Sequence, residues 1–347
     1  MTVPMQYFSW LAAGRCPDLQ EEQLAPFVHW CEAGHVLARL ERDKQVTDHD
    51  VFGFKYQFSS SMAAHEAAVL AFEIRETGRI FKDVDFPVVL LKGGAYLALG
   101  LSAARGRRVS DLDIMVPRQH LMQTERLLLE NSWGRDKKTD NAYDQAYYRN
   151  WMHELPPLRH SERRTIIDVH HALMPPVSPL SHTGAAMFDA LQPVTDSGLF
   201  ALGTQDMFLH SCLHSFYASD FQTPLRSLME LYDLAGEMDA AAWNGLCARA
   251  KSLGLVWPLV LGLDVLARYF PDRCPVHVLD DVRRRAGRRL ARHFLARMVD
   301  ISLRGTEGIA FRTVGKFWLV RSHFTAMKPR YLLRHYWQKH IRGLGRQ

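Results

Sequence analysis

Cysteine is scarce in this chain: Cys16, Cys31, Cys212, Cys247 and Cys274 are the five among 347 residues, an odd number with no CxxC pair. That excludes a disulfide framework and a cysteine-built zinc site, and it fits a reducing compartment. Long apolar runs are missing as well. Charge or histidine interrupts every candidate stretch short of the roughly 18 residues that a membrane-spanning helix needs. The opening MTVPMQYFSWLAAGRCPDLQ has neither the basic start nor the long apolar stretch of a secretory signal. A soluble cytoplasmic protein is therefore expected. There is no GxxxxGKS/T, no GxGxxG after a strand, no GxSxG and no HExxH, so P-loop, dinucleotide, serine-hydrolase and zinc-protease chemistries lack support.

What is present is ordinary globular composition, 47% apolar and 23% charged. The net charge of +6 is unevenly spread: residues 281–347 hold 17 Lys and Arg against 3 Asp and Glu. A basic C-terminal segment on a more acidic body suits a polyanionic partner, either nucleic acid or an anionic membrane surface, and equally a solvated helical face. Its stretch 328–342 interleaves aromatic and basic residues, as single-strand stacking or an interfacial helix would use and a plain docked helix would also show.

Apolar spacing divides the chain into four parts. Residues 1–85 read as helices, around Phe27 to Leu40 and from Met62 to Ile74. Residues 86–200 read as a small α+β core, with strands at Pro87–Leu91, Leu112–Val116 and Thr165–His170, a further candidate at Tyr147–Trp151, and helices at Ala95–Leu101 and Gln119–Glu130. Residues 201–280 read as helices (Thr204–Ser219, Leu225–Met238, Trp243–Leu253, Val256–Tyr269), and 281–347 as the basic helical segment.

The chemistry concentrates in Ser110-Asp111-Leu112-Asp113-Ile114. On a strand, residues two apart share a face, so Asp111 and Asp113 present two carboxylates together while Leu112 and Ile114 face the core. Paired carboxylates repel unless a cation neutralises them, and hard oxygen donors suit Mg²⁺ or Mn²⁺. Upstream, Gly93-Gly94 follows a strand and opens a helix, a place where backbone N–H groups can meet phosphates, with Lys92, Arg107 and Arg108 as further positive charge. Downstream, Asp168 and His170 share one face of a later strand. A third carboxylate beside a DxD pair is what two-metal phosphoryl transfer requires. His210 and His214, four apart on a helix, lack a third ligand and read as core or pocket histidines.

Leu91-Lys92-Gly93-Gly94-Ala95 followed by Arg108-x-Ser110-Asp111-x-Asp113 resembles the nucleotidyltransferase superfamily that includes DNA polymerase β. The closest resemblance is to its uncharacterised bacterial nucleotidyltransferase branch. Asp168-Val169-His170, Gln205-Asp206 through His210 and His214, and Asp233-Leu234-Ala235 extend the resemblance over about residues 30–280. Two departures stand out. About 18 residues separate Gly93 from Asp111, longer than in compact members of the superfamily, and His171 stands where the branch more often has Trp.

The resemblance implies an α+β nucleotidyltransferase core with a helical domain covering the nucleotide, and transfer of an NMP from an NTP with release of pyrophosphate. It implies Asp111, Asp113 and Asp168 as catalytic and metal-binding residues. Lys92, Gly93, Gly94, Arg107, Arg108 and Ser110 would bind the nucleotide, with His170 and His214 in the pocket. The acceptor stays open among small molecule, peptide or protein, and RNA. The alternative is a catalytically quiet member of the same fold that binds nucleotide or RNA with its basic tail.

Overall fold

The computed structural model describes residues 3–17, 19–135, 142–178, 185–218, 221, 223–305 and 308–337. Its centre is a seven-stranded mixed sheet formed by β1 (Val89–Leu90), β2 (Asp111–Met115), β3 (Trp133–Arg135), β4 (Leu158–His160), β5 (Ile166–His170), β6 (Leu191–Pro193) and β7 (Phe200–Leu202). The strand order is β3-β4-β5-β2-β1-β7-β6, with β2 and β5 parallel and β1 antiparallel to β2. Leu112, Ile114, Ile167 and Val169 alternate with the acids and are at most 1% exposed. At roughly 1.5–3 kcal/mol for each such side chain, their burial holds the opposite, polar face in register.

Four helices precede the sheet: α1 (Gln6–Ala13), α2 (Glu21–Ala33), α3 (Lys44–Thr47) and α4 (Asp50–Ile80). Helix α4 runs 31 residues, and its start is capped by His49, whose Nδ1 accepts from the N–H groups of Val51 and Phe52. Within the sheet region lie α5 (Lys92–Ala98), α6 (Leu121–Glu130) and α7 (Ala142–Trp151). The strand expected at Tyr147–Trp151 is instead the last part of α7. Tyr147 and Trp151 are one helical turn apart, their rings 5.9 Å from each other, and Trp151 packs on Tyr331. Aromatic content suggested a strand, but the four-residue spacing decided for a helix.

After the sheet the described chain is helical: α8 (Thr204–Leu213), a π-helical turn at His214–Ala218, α9 (Pro224–Gly236), α10 (Ala240–Ser252), α11 (Val256–Tyr269), α12 (Val276–Ala286), α13 (Arg289–Arg304), α14 (Ile309–Ala326) and α15 (Pro329–Tyr336). The fold is α+β, as expected. All five cysteines are free and buried. Among the described residues no helix is long and apolar enough to cross a membrane.

Two buried ion pairs tie the helices together. Arg39 forks onto Asp233 of α9 at 2.6 and 2.8 Å, and Arg249 of α10 onto Asp206 of α8 at 2.8 and 2.5 Å. The C-terminal helices dock on the body: Thr325 donates to the Tyr217 carbonyl at 2.8 Å, and Arg334 lies over the Trp151 ring. Residues 338–342 of the aromatic and basic stretch lie outside the described residues.

Candidate active site

Because β2 and β5 run parallel, their registers set the acids side by side: Asp113 opposite Asp168, Asp111 opposite Ile166, Met115 opposite His170. Lys92 joins them from the end of β1. Its backbone takes a positive φ of 44°, and its Nζ donates to Asp113 Oδ1 at 2.9 Å. The same oxygen lies 3.0 Å from His170 Nε2. The next residue must be small, because a Cβ on Gly93 would meet the Val109 side chain at 2.9 Å; on Gly94 it would meet Leu112 at 3.0 Å. These glycines bring α5 down onto β2, which is how Lys92 comes within reach of Asp113.

Charge on this face is unbalanced. Burial disfavours ionised Asp113, but the Lys92 ammonium and the His170 imidazole outweigh it and hold the carboxyl well below its usual range. Asp168 has less help, from His170 alone among these two cations. Burial, then Glu154 and Asp113, push it up to about 7, and its Oδ1 is buried with no hydrogen-bond partner. Asp111 is raised by burial and by Asp113; Lys92, and then the Ser110 hydroxyl 3.3 Å from it, pull the other way.

Two acids here escaped the sequence reading. Glu154 sits on a short extended segment that pairs with β5: the Leu155 N–H donates to the Val169 carbonyl at 2.9 Å, and the His171 N–H to the His153 carbonyl at 2.8 Å. This places Glu154 Oε2 at 3.6 Å from His170 Nε2. Glu230 of α9 accepts from the Tyr96 hydroxyl at 2.8 Å and from Arg107, which holds its carboxyl down at about 2 against the effect of burial. No motif or spacing flags Glu154; Glu230 stands one turn before Asp233 on an amphipathic helix, the one signal that it faces inward.

The two arginines expected to steady phosphates are each paired with a carboxylate. Arg107 is committed to Glu230, and Arg108 forks onto Glu66 of α4 at 2.8 and 2.6 Å. Gly106, at φ 62°, allows this turn, since a Cβ there would strike the Ala38 backbone at 2.4 Å. Arg226 of α9 differs: partly buried beside Arg107, His35 and Glu230, it makes no ion pair among the described residues. Burial and then Arg107 lower its proton affinity, while Glu230 and Asp111 oppose this. His210 and His214, rings 6.3 Å apart, face the same region; burial drives both towards the neutral form, with Lys92 adding to it, His210 to about 3.

The donor set suits a hard divalent cation on three grounds. Asp111, Asp113 and Asp168 offer carboxylate oxygens from adjacent strands, one of those oxygens is buried without a partner, and a lysine ammonium already sits against Asp113. A cleft of about 300 Å³ between α4 and the starts of β2 and β5, bounded by Glu66, Ser110, Asp111 and Arg163, leads to the first of these acids.

No curated protein and no solved structure matches the chain. Residues 33–271 match the family model described as uncharacterised nucleotidyltransferase, and the chain belongs to that family of phosphorus-group transferases.

Proposed function

We propose that the protein transfers an NMP from an NTP to a hydroxyl-bearing acceptor, with pyrophosphate as the leaving group, in the presence of Mg²⁺ or Mn²⁺. The observation that carries this reading is the matched register of Asp113 and Asp168 on parallel strands, with Asp111 two residues away and the Asp168 oxygen unpartnered. Asp111, Asp113 and Asp168 would hold the ion, which when bound supplies charge neutralisation on the triphosphate and a lowered pKa for the attacking hydroxyl.

The chain's own groups do the rest. Lys92 moves from Asp113 towards phosphate oxygens once the acids are neutralised. Arg226, which makes no ion pair among the described residues, supplies positive charge to the phosphates, while Arg107 and Glu230 hold each other and Tyr96 in place behind it. Asp168 accepts the proton of the acceptor hydroxyl through the carboxylate oxygen that the ion does not take. Ser110 orients Asp111. The His210 and His214 rings, kept neutral, wall the pocket without adding charge that would repel the ion. Helix α15, which carries Arg330 and Arg334, adjoins α7 through Tyr331 and Arg334 on Trp151, and favours an anionic acceptor.

The test is a thermal-shift panel of the four NTPs with and without Mg²⁺ or Mn²⁺, on wild type and on Asp111→Asn/Asp113→Asn. Ligand at 100 times its Kd adds about 2.7 kcal/mol to the folded state. A metal-dependent shift that the double variant loses supports the reading. No shift with any NTP in a folded wild type overturns it.

A further inference from the structure

Beside the oxygen-only acids lies a group of different composition. His153, Glu154 and His170 each offer one ligand atom, and these atoms all lie within 4.8 Å of one another. His153 Nε2 is 4.0 Å and His170 Nε2 3.6 Å from the same Glu154 Oε2. Those separations are too long for hydrogen bonds, whose donor–acceptor distances run about 2.7–3.2 Å. Donors that share one ion at about 2.0–2.1 Å lie roughly 3–4 Å apart, so a small closing of the side chains brings all three into one coordination sphere.

The backbone already fixes the arrangement. The Leu155–Val169 and His171–His153 hydrogen bonds clamp the segment to β5, and Glu154 stands directly opposite His170. His170 is only 4% exposed, and His153 Nδ1 is buried with no partner. Four carboxylates, from Asp111, Asp113, Glu154 and Asp168, face this region, and Lys92 already donates to Asp113.

We infer that His153, Glu154 and His170 form a second cation site, distinct from the Asp111–Asp113 pair, that takes a borderline first-row transition dication such as Zn²⁺ or Co²⁺ in preference to Mg²⁺. Two imidazole nitrogens with one carboxylate are the donors that borderline ions select, whereas Mg²⁺ takes oxygen and keeps its waters. His170 Nε2 lies 3.0 Å from Asp113 Oδ1, the spacing of neighbouring ligands, so Asp113 links this site to the oxygen site. Binding itself does not depend on the proposed transfer reaction. Only the ion's purpose, to sit where the acceptor hydroxyl meets Asp168, rests on that reading.

The test uses the full chain stripped of metal with a chelator. Co²⁺ is titrated by visible d–d absorption, and Cu²⁺, a nitrogen-preferring stand-in for Zn²⁺, is examined by electron spin-echo envelope modulation for ¹⁴N coupling. The expected result is one tight ion with nitrogen coupling in wild type, not displaced by excess Mg²⁺. His153→Asn and Glu154→Gln, checked for folding by near-ultraviolet circular dichroism, weaken it at least tenfold, while Asp111→Asn leaves it within about twofold. Absence of nitrogen coupling in wild type, equal displacement by Mg²⁺, or unchanged binding in a folded His153→Asn/Glu154→Gln variant overturns the inference. Failure of the transfer reading looks different: NTPs give no shift, whatever the Co²⁺ spectrum shows.

Discussion

Two parts of the molecule handle buried charge in opposite ways. Where Arg39 meets α9, and where α10 packs on α8, the buried carboxylate is matched by a guanidinium: Asp233 by Arg39 and Asp206 by Arg249, both through two hydrogen bonds. Glu73 is matched as fully, by Arg163 at 2.7 and 2.9 Å and by the Thr165 hydroxyl at 2.7 Å. On the β2–β5 face, Asp111, Asp113, Glu154 and Asp168 gather around Lys92 and His170, and both of those reach the same oxygen of Asp113. The first arrangement is electrostatically complete and holds helices together. The second is complete only when positive charge arrives from outside, which is the property a site needs and a scaffold avoids.

Breaking a complete pair is the largest expected effect on stability. Arg39→Ala leaves Asp233 buried and charged, and removing one partner of a buried pair costs about 3–5 kcal/mol. Urea unfolding of this variant should show that loss at an unchanged m-value. A loss under about 1 kcal/mol would erase the distinction between the two regions.

Removing charge from the incomplete region should act the other way in metal-free buffer. The Asp168 carboxyl rises in the folded state to about 7 from an ordinary value near 4. Folding therefore favours its protonated form, and the stability it contributes is full below about pH 4 and is lost as pH rises through about 7. Buried His210 and His171, lowered to about 3 and about 4, have the opposite sign, since their neutral forms are favoured and stability falls as pH drops below about 6.5. The difference between wild type and Asp168→Asn isolates the acid. That difference should change by up to about 1.4 kcal/mol per pH unit between pH 4 and 7, the variant losing less as pH rises. Denaturation midpoints at pH 5, 6 and 7 with a chelator present measure it, and parallel curves for the two proteins would count against a charge deficit at this face.

The legible parts of this fold and site are those with local period or spacing. The DxD strand, the Asp168–His170 strand and the helices after Gly203 could be read because period 2 and period 3.6 are written in consecutive residues. The three-residue strands β3, β4, β6 and β7 are too short to show alternation, and pairing with neighbouring strands, which local pattern does not reveal, makes them strands. Glu154 was hidden for the same reason: its place beside His170 comes from pairing with β5 across fifteen intervening residues, not from any pattern around it. Arg107 and Arg108 were visible as charge, but which partner each would find was not. Glu230 and Glu66 reach them from helices 123 and 42 residues away in sequence.

Arg226 sharpens the comparison at its smallest scale. It is a partly buried guanidinium on the site side of α9 with no ion pair among the described residues, one turn from Glu230, which is bound to Arg107. If the carboxylate face waits for cations, this position waits for an anion, and a triphosphate carries the complement of both. Arg226→Ala then strands no buried partner, so its unfolding free energy should stay within about 0.5 kcal/mol of wild type. Its Kd for NTP, from a fluorescent analogue or calorimetry, should rise about tenfold, which is about 1.4 kcal/mol. Arg107→Ala is the matched control, because it leaves Glu230 unpaired and should lower stability as well as binding. Equal losses of stability in the two variants would mean that Arg226 belongs to the scaffold. A loss of nucleotide affinity alone would assign it to the phosphates.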